Sequence, residues 1–227
     1  MGEGNVKDDV PVTHWETAAR TKMGSYLTSV EMAFFLKSIN FSKCRLVGDI
    51  GAEAGKFSLL AAEKNVDVVA LDVDLSGLKR LRFKNKLVNV VLADARNIPL
   101  KEGILDAAFM MEVIDYIPES DTVLSGCSRI LKNGCSLVFS FGNEASLKSK
   151  LRSLRGNSYM HSYDEIVGGL HKAGFKLVRK EGFNWLLFSR TSENFLVPLS
   201  AKMERLLRLR KMPSISPWVM VHAVTQK

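Results

Sequence analysis

The segment D-I-G-A-E-A-G, from Asp49 to Gly55, brings glycines and carboxylates together at the end of an apolar run. Gly51 and Gly55 permit a tight turn with close backbone approach to a ligand, and a helix beginning near Gly55 would offer unpaired N–H groups. A turn of this kind between a strand and a helix predicts a nucleoside site. Asp49 and Glu53 disfavour a pyrophosphate there, and neither a dinucleotide nor a P-loop motif can be written through the glycines. A ligand with positive charge is favoured.

Two further carboxylates end the next two apolar runs of the chain. Asp72 ends the second run, where a carboxylate can accept both hydrogens of a ribose diol. Asp94 ends the third, in A-D-A-R, where it can accept from an exocyclic amine while the N–H of Ala95 meets a ring nitrogen. Singly, each aspartate is explained as a strand-end cap or an Asx turn. Jointly with the glycine turn, they predict a site for an unphosphorylated adenosine with a cationic tail.

Alternating strands and helices are predicted to position these residues, because short apolar runs alternate with longer stretches of helical spacing from Arg45 onward. The runs are mostly continuously apolar, which is typical of strands covered on both faces. The predicted fold is α/β, a doubly wound sheet with helices on both faces. The predicted strands are Arg45 to Ile50, Val66 to Leu71, Asn89 to Ala93, Asp106 to Met111, Cys135 to Phe141, Lys176 to Glu181 and Trp218 to Val224. The predicted helices include Gly55 to Asn65, Leu75 to Lys86, Glu119 to Leu131, and one opened by the capping-box pattern Ser162 to Glu165.

The 227 residues are predicted to form a single domain. Residues 1–43 are expected to be an N-terminal helical cap, residues 44–141 a cofactor-binding half, and residues 142–227 an acceptor-side half with a basic insertion. Within that insertion, a helix is predicted around Ala201 to Lys211.

Composition and charge narrow the class of protein. Hydrophobic residues make up 46% and charged residues 25%, ordinary globular values, and no apolar run approaches the roughly 18 residues that span a bilayer. The net charge is +8, and residues 141–227 hold 15 basic residues against 6 acidic ones. Cys44, Cys127 and Cys135 lack zinc-site spacing and are interpreted as reduced thiols. We expect a cytoplasmic protein without a metal site.

Five motifs, in order and at the right spacing, resemble those of class I S-adenosylmethionine-dependent methyltransferases, particularly small members that act on small molecules. The family's D-x-G-x-G-x-G resembles Asp49 to Gly55, and its acidic end of the second strand resembles Asp72. Its D-A-x-x-L-P, E-V-L-E-H-I-P and R-x-L-K-P-G resemble D-A-R-N-I-P from Asp94, E-V-I-D-Y-I-P from Glu112 and R-I-L-K-N-G from Arg129. The resemblance implies a Rossmann-like seven-stranded sheet with an antiparallel last strand, S-adenosylmethionine as cofactor and S-adenosylhomocysteine as product.

Placement and resemblance together indicate the site residues. Those expected around the cofactor are Tyr26, Asp49, Gly51, Ala52, Glu53, Gly55, Asp72, Val73, Asp94, Ala95, Met111 and Glu112. Tyr116 and His161 are the expected catalytic groups, and the expected acceptor contacts are Tyr26, Tyr116, Tyr159 and His161.

Two residues depart from the family pattern. Glu53 stands where the family usually has its middle glycine, so its side chain either reaches the ammonium or sulfonium of the cofactor or blocks the site. Tyr116 replaces a frequent histidine, so proton transfer by histidine is not expected from that position.

The leading functional hypothesis is methyl transfer to an O, N or C nucleophile of a small or medium-sized acceptor. An alternative is a non-catalytic, regulatory relative in which Glu53 has abolished cofactor binding. A third hypothesis assigns RNA or an anionic membrane surface as partner of the basic half, in which Lys202 to Lys211 is amphipathic; core packing is the favoured explanation of that pattern.

Asn143 to His161 is predicted to be a mobile cover over the acceptor pocket. It leaves the carboxyl end of the fifth strand and is long for a connection between a strand and a helix. Its single thin apolar stripe favours weak docking on the body of the protein.

Overall fold

The computed structural model describes residues 11–146, 148–149, 161–186 and 188–226. Helices and strands alternate along most of this range. The helices are α1 (His14–Ala19), α2 (Lys22–Ser38), α3 (Lys56–Ala62), α4 (Leu75–Lys84), α5 (Ser120–Ile130), α6 (Tyr163–Lys172) and α7 (Val197–Leu206). The strands are β1 (Leu46–Ile50), β2 (Asp67–Asp72), β3 (Asn89–Leu92), β4 (Leu105–Met110), β5 (Leu131–Gly142), β6 (Phe175–Phe183) and β7 (Trp218–Thr225).

The strands form one sheet in the order β3-β2-β1-β4-β5-β7-β6. The first five strands in sequence are parallel, whereas β7 runs antiparallel to both β5 and β6. The predicted α/β sheet with an antiparallel last strand is therefore confirmed. The strand order reverses between β1 and β4, and ligands of open α/β sheets bind beyond the carboxyl ends of the strands at such a reversal.

Both faces of β1, β2 and β4 are covered, which explains their continuously apolar sequences, whereas edge strand β3 has no buried residue. In β4, Ala107 and Phe109 join one buried cluster, and Ala108 and Met110 join the other, because successive side chains point to opposite faces. Helix α2 covers the first face, where Phe35 makes an edge contact with the Phe109 ring at 4.8 Å between centroids. Helices α5 and α6 supply residues to the second cluster. This packing fixes the strand ends that form the site.

Helix boundaries follow local capping chemistry. The predicted capping box at Ser162 is confirmed: its hydroxyl accepts from the N–H of Glu165, whose carboxylate accepts from the N–H of Ser162. The helix predicted around Ala201 to Lys211 was placed too late, because α7 begins at Val197 with Pro198 in its first turn and ends at Leu206. Arg208 then takes a left-handed conformation, with φ at 55°, before a short 3-10 turn at Leu209–Lys211.

Strand β5 begins at Leu131, earlier than the predicted Cys135, and its pairing with β4 shifts register between Leu105 and Ala107. Helix α3 is shorter than predicted and ends at Ala62. Among the described residues, no helix is long and apolar enough to cross a membrane.

Candidate active site

A cavity of about 1250 Å³ opens at the carboxyl ends of β1, β2, β3 and β4. It lies where the strand order reverses, between the sheet and the N-terminal helix α1. Eleven of the residues expected at the site line it: Asp49, Gly51, Ala52, Glu53, Asp72, Val73, Asp94, Ala95, Met111, Glu112 and Tyr116. Residues far apart in the sequence thus meet around one space.

The glycine turn after β1 has the backbone geometry that its sequence predicts. Gly51 and Gly55 have φ of 77° and 79°, in the left-handed region that favours glycine. A Cβ at Gly51 would lie 2.2 Å from Cγ2 of Val113, so a larger residue does not fit there. The N–H groups of Gly51 and Ala52 donate to the carbonyl of Leu71 at 2.7 and 2.9 Å, which fastens the turn to the end of β2. The turn is tight enough for close backbone approach to a ligand.

Asp72 joins this turn to the next one. Its carboxylate accepts from the backbone N–H of Glu53 at 2.7 Å and from that of Asp74 at 2.8 Å. Each oxygen accepts one of these bonds, and an ionised carboxylate offers about four acceptor positions. Acceptor capacity therefore remains on the cavity side, as two hydroxyl groups of a ribose require.

Glu53 is itself held in the left-handed region, with φ at 48°. This conformation costs a non-glycine residue about 1–3 kcal/mol and persists only where neighbouring contacts enforce it. The bond from its N–H to Asp72 is such a contact. The turn therefore keeps its form with glutamate at the position of the family's middle glycine.

The carboxylate of Asp94 forms an ion pair with a neighbouring cation. The guanidinium of Arg96 donates to both its oxygens, with Nη2 2.6 Å from Oδ2, and these bonds hold the pKa of Asp94 below its usual range. The side chains of Asp94 and Arg96 are 37% and 51% exposed, so water competes for the pair. The adenine role of Asp94 and Ala95 stays a prediction that requires the amine to share this carboxylate.

Asp49 is buried beneath the turn. Burial raises its pKa to about 7, although the hydroxyl of Ser58 donates to Oδ2 at 2.6 Å and favours the charged form. Asp72 adds a like charge nearby that also raises it. Asp49 thus titrates close to neutrality, and a cationic ligand over the turn would favour its ionised form.

A cluster of four ionisable side chains, of which the sequence analysis identified only Glu112, lies at the wall of the cavity: Lys56, Glu112 and Arg190 line it, and buried Glu31 contacts them from outside the lining. Arg190, from the segment after β6, donates through Nη1 and Nη2 to the two carboxylate oxygens of Glu112. Its Nη2 is 3.8 Å from Oε1 of Glu31, a fully buried residue of α2, and Nζ of Lys56 is 3.0 Å from the other oxygen of Glu31. We call these four residues the buried charge cluster.

The pKa values of the two acids in the buried charge cluster are shifted in opposite directions. Burial and the adjacent Glu112 carboxylate raise the pKa of Glu31, so it favours the protonated form. Burial would also raise the pKa of Glu112, but contact with Glu31 and the charges of Arg190 and Lys56 outweigh it and lower that pKa. Glu112 is therefore the ionised partner of Arg190. No spacing in the sequence indicated this pairing across the fold.

The N-terminal helix forms one wall of the cavity. Trp15 lies beneath the guanidinium of Arg190, which is 5.1 Å from the ring centroid. Glu16 binds Arg80 at 3.2 Å and Lys84 at 2.7 Å on α4. Burial opposes ionisation of Glu16, but the bonds from Lys84 and from the backbone of Thr13 lower its pKa to about 2. The ion pairs of Glu16 and the contact between Trp15 and Arg190 thus hold helix α1 across the cavity.

Of the expected site residues that the structure describes, Tyr26 and His161 do not line the cavity, nor does Gly55, whose neighbours Ala54 and Lys56 do. The hydroxyl of Tyr26 donates to Oε1 of buried Glu204 at 2.8 Å, away from the cavity, because α2 turns this side of its surface toward α7. His161 is buried, and its Nε2 lies 3.2 and 3.1 Å from the carbonyls of Ile114 and Ile117. His161 does not line the cavity in this structure, and its catalytic role stays a prediction.

Tyr116 does line the cavity and is 55% exposed. Tyr159 lies outside the described residues, as does most of the predicted cover from Asn143 to His161. Asn143, at its start, is buried and donates to the carbonyl of Ser214 at 2.8 Å. Within the described ranges, no group of three or more His, Cys, Asp or Glu side chains is arranged to hold a metal ion.

Residues 48–139 match the family model for a methyltransferase domain. The chain is 26% identical over 180 residues to a ubiquinone biosynthesis O-methyltransferase of Bordetella avium, covering 67% of this chain and 74% of that protein. It is 29% identical over 142 residues to a malonyl-[acyl-carrier protein] O-methyltransferase of Methylococcus capsulatus, covering 58% of this chain and 52% of that protein.

Solved structures with the same fold include geranyl diphosphate C-methyltransferase of Streptomyces coelicolor in complex with Mg²⁺, geranyl diphosphate and S-adenosyl-L-homocysteine. The TM-score is 0.69 at 14% identity, with 99% of this chain and 90% of that chain covered. At this identity the likeness concerns the fold alone.

Proposed function

Because the chain belongs to the class I S-adenosylmethionine-dependent methyltransferases, we propose that it transfers a methyl group to an O, N or C nucleophile of a small or medium-sized acceptor. The observation that carries the proposal is the cavity, in which the glycine turn, Asp72 and Asp94 meet at the ends of three neighbouring strands. The O-methyltransferases among its relatives favour oxygen as the methylated atom.

The donor's parts match the residues of the cavity. The turn from Gly51 to Gly55 would hold the amino-acid moiety, with Asp49 and Glu53 supplying negative charge near its ammonium. Asp72 would accept from the ribose hydroxyls, and Asp94 with the N–H of Ala95 would hold the adenine. S-adenosylmethionine supplies an electrophilic methyl group when bound.

The protein's own contribution is positioning and exclusion of water. Helix α1 forms a wall over the cavity, and the Arg190–Glu112 ion pair fixes its interior, so an acceptor would meet a preformed space. Tyr116 is one of the exposed polar side chains that line that space, and we propose that it contacts the acceptor. A general base is optional for a nucleophile that loses its proton readily to water.

Calorimetric titration tests donor binding directly. We expect S-adenosylhomocysteine to bind, and Asp72→Ala to weaken binding by up to about 1.5–3 kcal/mol for each charge-assisted hydrogen bond lost. Asp67→Ala, at the exposed start of the same strand, is the matched control and should leave affinity unchanged. Absence of binding at millimolar concentration would refute the proposal.

A second candidate is a regulatory relative that binds no donor, since Glu53 occupies the position of a family glycine. Glu53→Gly distinguishes the two. If Glu53 contacts the donor's cation, the glycine variant binds S-adenosylhomocysteine more weakly than the wild type. If Glu53 blocks the site, only the glycine variant binds. The hydrogen bond from the N–H of Glu53 to Asp72 holds the turn in its tight form, which supports the catalytic proposal.

The three cysteines are free thiols, and Cys127 is buried within the core. Reduced thiols support a cytoplasmic location, which we propose on this ground. We also propose that the cap, cofactor and acceptor parts predicted at residues 1–43, 44–141 and 142–227 act as one domain, because a single sheet contains strands from the second and third. RNA as a partner of the basic half stays a prediction.

A further inference from the structure

Helix α7 and the turn that follows it carry large apolar side chains on the surface. Along the outer side of α7, Leu199, Met203 and Leu206 are 57%, 51% and 79% exposed, at the spacing that places them in one stripe. Phe195 precedes them at 77%, and Leu207 follows at 59%. The opposite side of α7 is buried, through Val197, Ala201 and Glu204. Core packing therefore explains only the inner face of this amphipathic segment.

Basic side chains surround the apolar stripe. Lys202, Arg205, Arg208 and Lys211 are all exposed. From residue 194 to residue 217 the sequence has one acidic residue, Glu204, and its carboxylate is buried, where it accepts from Tyr26 and Arg210. The exposed charge of this segment is thus entirely positive. We call the five apolar residues and these four cations the α7 patch.

We propose that the α7 patch docks on the surface of an anionic lipid bilayer. Such a surface accepts both components at once: apolar side chains enter the boundary of the acyl region, and Lys and Arg bind the anionic headgroups. Phosphates of RNA would pair with the cations but would leave the leucines in water. A second copy of the chain, docked through the same patch, would place its four cations against these four, and the like charges would repel.

Docking would also bring the cavity close to lipid. Phe195 follows the cavity residue Arg190 by five residues, which span at most about 18 Å of chain. The backbone between them is tied to the body of the protein, since the N–H of Met23 donates to the carbonyl of Ser192 at 3.0 Å. The α7 patch and the cavity residue Arg190 are therefore parts of the same body, and docking of the patch fixes the distance from the cavity to the membrane.

Vesicle sedimentation tests the proposal with the full chain. We expect binding to phosphatidylcholine vesicles that contain about 30% phosphatidylglycerol, no binding to phosphatidylcholine alone, and loss of binding at about 0.5 M salt. Leu206→Gln with Leu207→Gln, and Lys202→Glu with Arg205→Glu, should each weaken binding at least about tenfold. These side chains are exposed, so thermal unfolding of both double variants should match that of the wild type.

Matched controls change exposed residues elsewhere. Leu87→Gln, at a site 87% exposed, and Lys64→Glu should leave vesicle binding unchanged. The proposal is overturned if anionic vesicles are not bound at low salt, if neutral vesicles bind equally well, or if both patch variants still bind. Binding of bulk tRNA that survives the leucine changes but not the charge reversal would assign the patch to nucleic acid. A dimer that dissociates on Leu206→Gln would assign it to self-association.

Discussion

Replacing Arg190 with methionine should destabilise the protein at neutral pH and leave it closer to wild type in acid. The variant keeps most of the side-chain volume but leaves Glu112 ionised and without the guanidinium that binds both its oxygens. Removing one partner of a buried ion pair costs about 3–5 kcal/mol. Arg190 is 24% and Glu112 12% exposed, so we expect the lower end, about 3 kcal/mol at pH 7.5.

The pH dependence identifies the cause. In the wild type, folding lowers the pKa of Glu112 below its value of about 4.3 in the unfolded chain. The stability that its ion pair contributes is therefore present above that unfolded-state pKa and is lost as the pH falls through the lower folded-state pKa. In Arg190→Met, burial without the cation raises this pKa, and protonation relieves the cost. The difference in unfolding free energy between the two proteins should therefore shrink between pH 7.5 and pH 5.

Urea unfolding at both pH values provides the measurement. The double variant Arg190→Met with Glu112→Gln is the control, because it leaves no unpaired charge at this position and should be more stable than Arg190→Met alone. A loss below about 1 kcal/mol at pH 7.5, or a loss that does not change with pH, would refute the assignment of Glu112 as an ionised partner.

Three further changes test the turn and the carboxylates around it. Gly51→Ala should cost about 2–4 kcal/mol in thermal or urea unfolding, from its positive φ and its overlap with Val113, and Val113→Ala should recover part of that loss. Asp49→Asn should gain stability relative to wild type as pH rises from about 4 to about 7, by at most about 1.4 kcal/mol per pH unit, because the raised pKa of Asp49 makes the wild type lose stability over that window. Glu16→Gln should weaken the hold of α1 on α4, seen as faster amide exchange across His14–Ala19 with donor affinity reduced severalfold.

The sequence determined the fold class and the positions of the glycine turn and its neighbouring carboxylates because both depend on local chemistry. Continuously apolar runs require strands covered on both faces, and glycines at positions 51 and 55 permit the left-handed backbone that the turn adopts. Asp49 and Asp72 are strand-end residues, so once the strands are parallel and adjacent, these carboxylates must lie at the same edge. Their positions follow from periodicity and from the order of the sheet.

Only the tertiary structure decided which distant groups share the rest of the cavity. Arg190 and Glu112 lie in different halves of the chain, and neither helical nor strand spacing relates them. Tyr26 and His161 have the residue types that a site requires, yet their partners are Glu204 and two backbone carbonyls, because helix packing and loop path fix which way a side chain faces. Periodicity shows that a residue lies on a surface of its element, whereas packing decides whether that surface meets the cavity, the core or solvent.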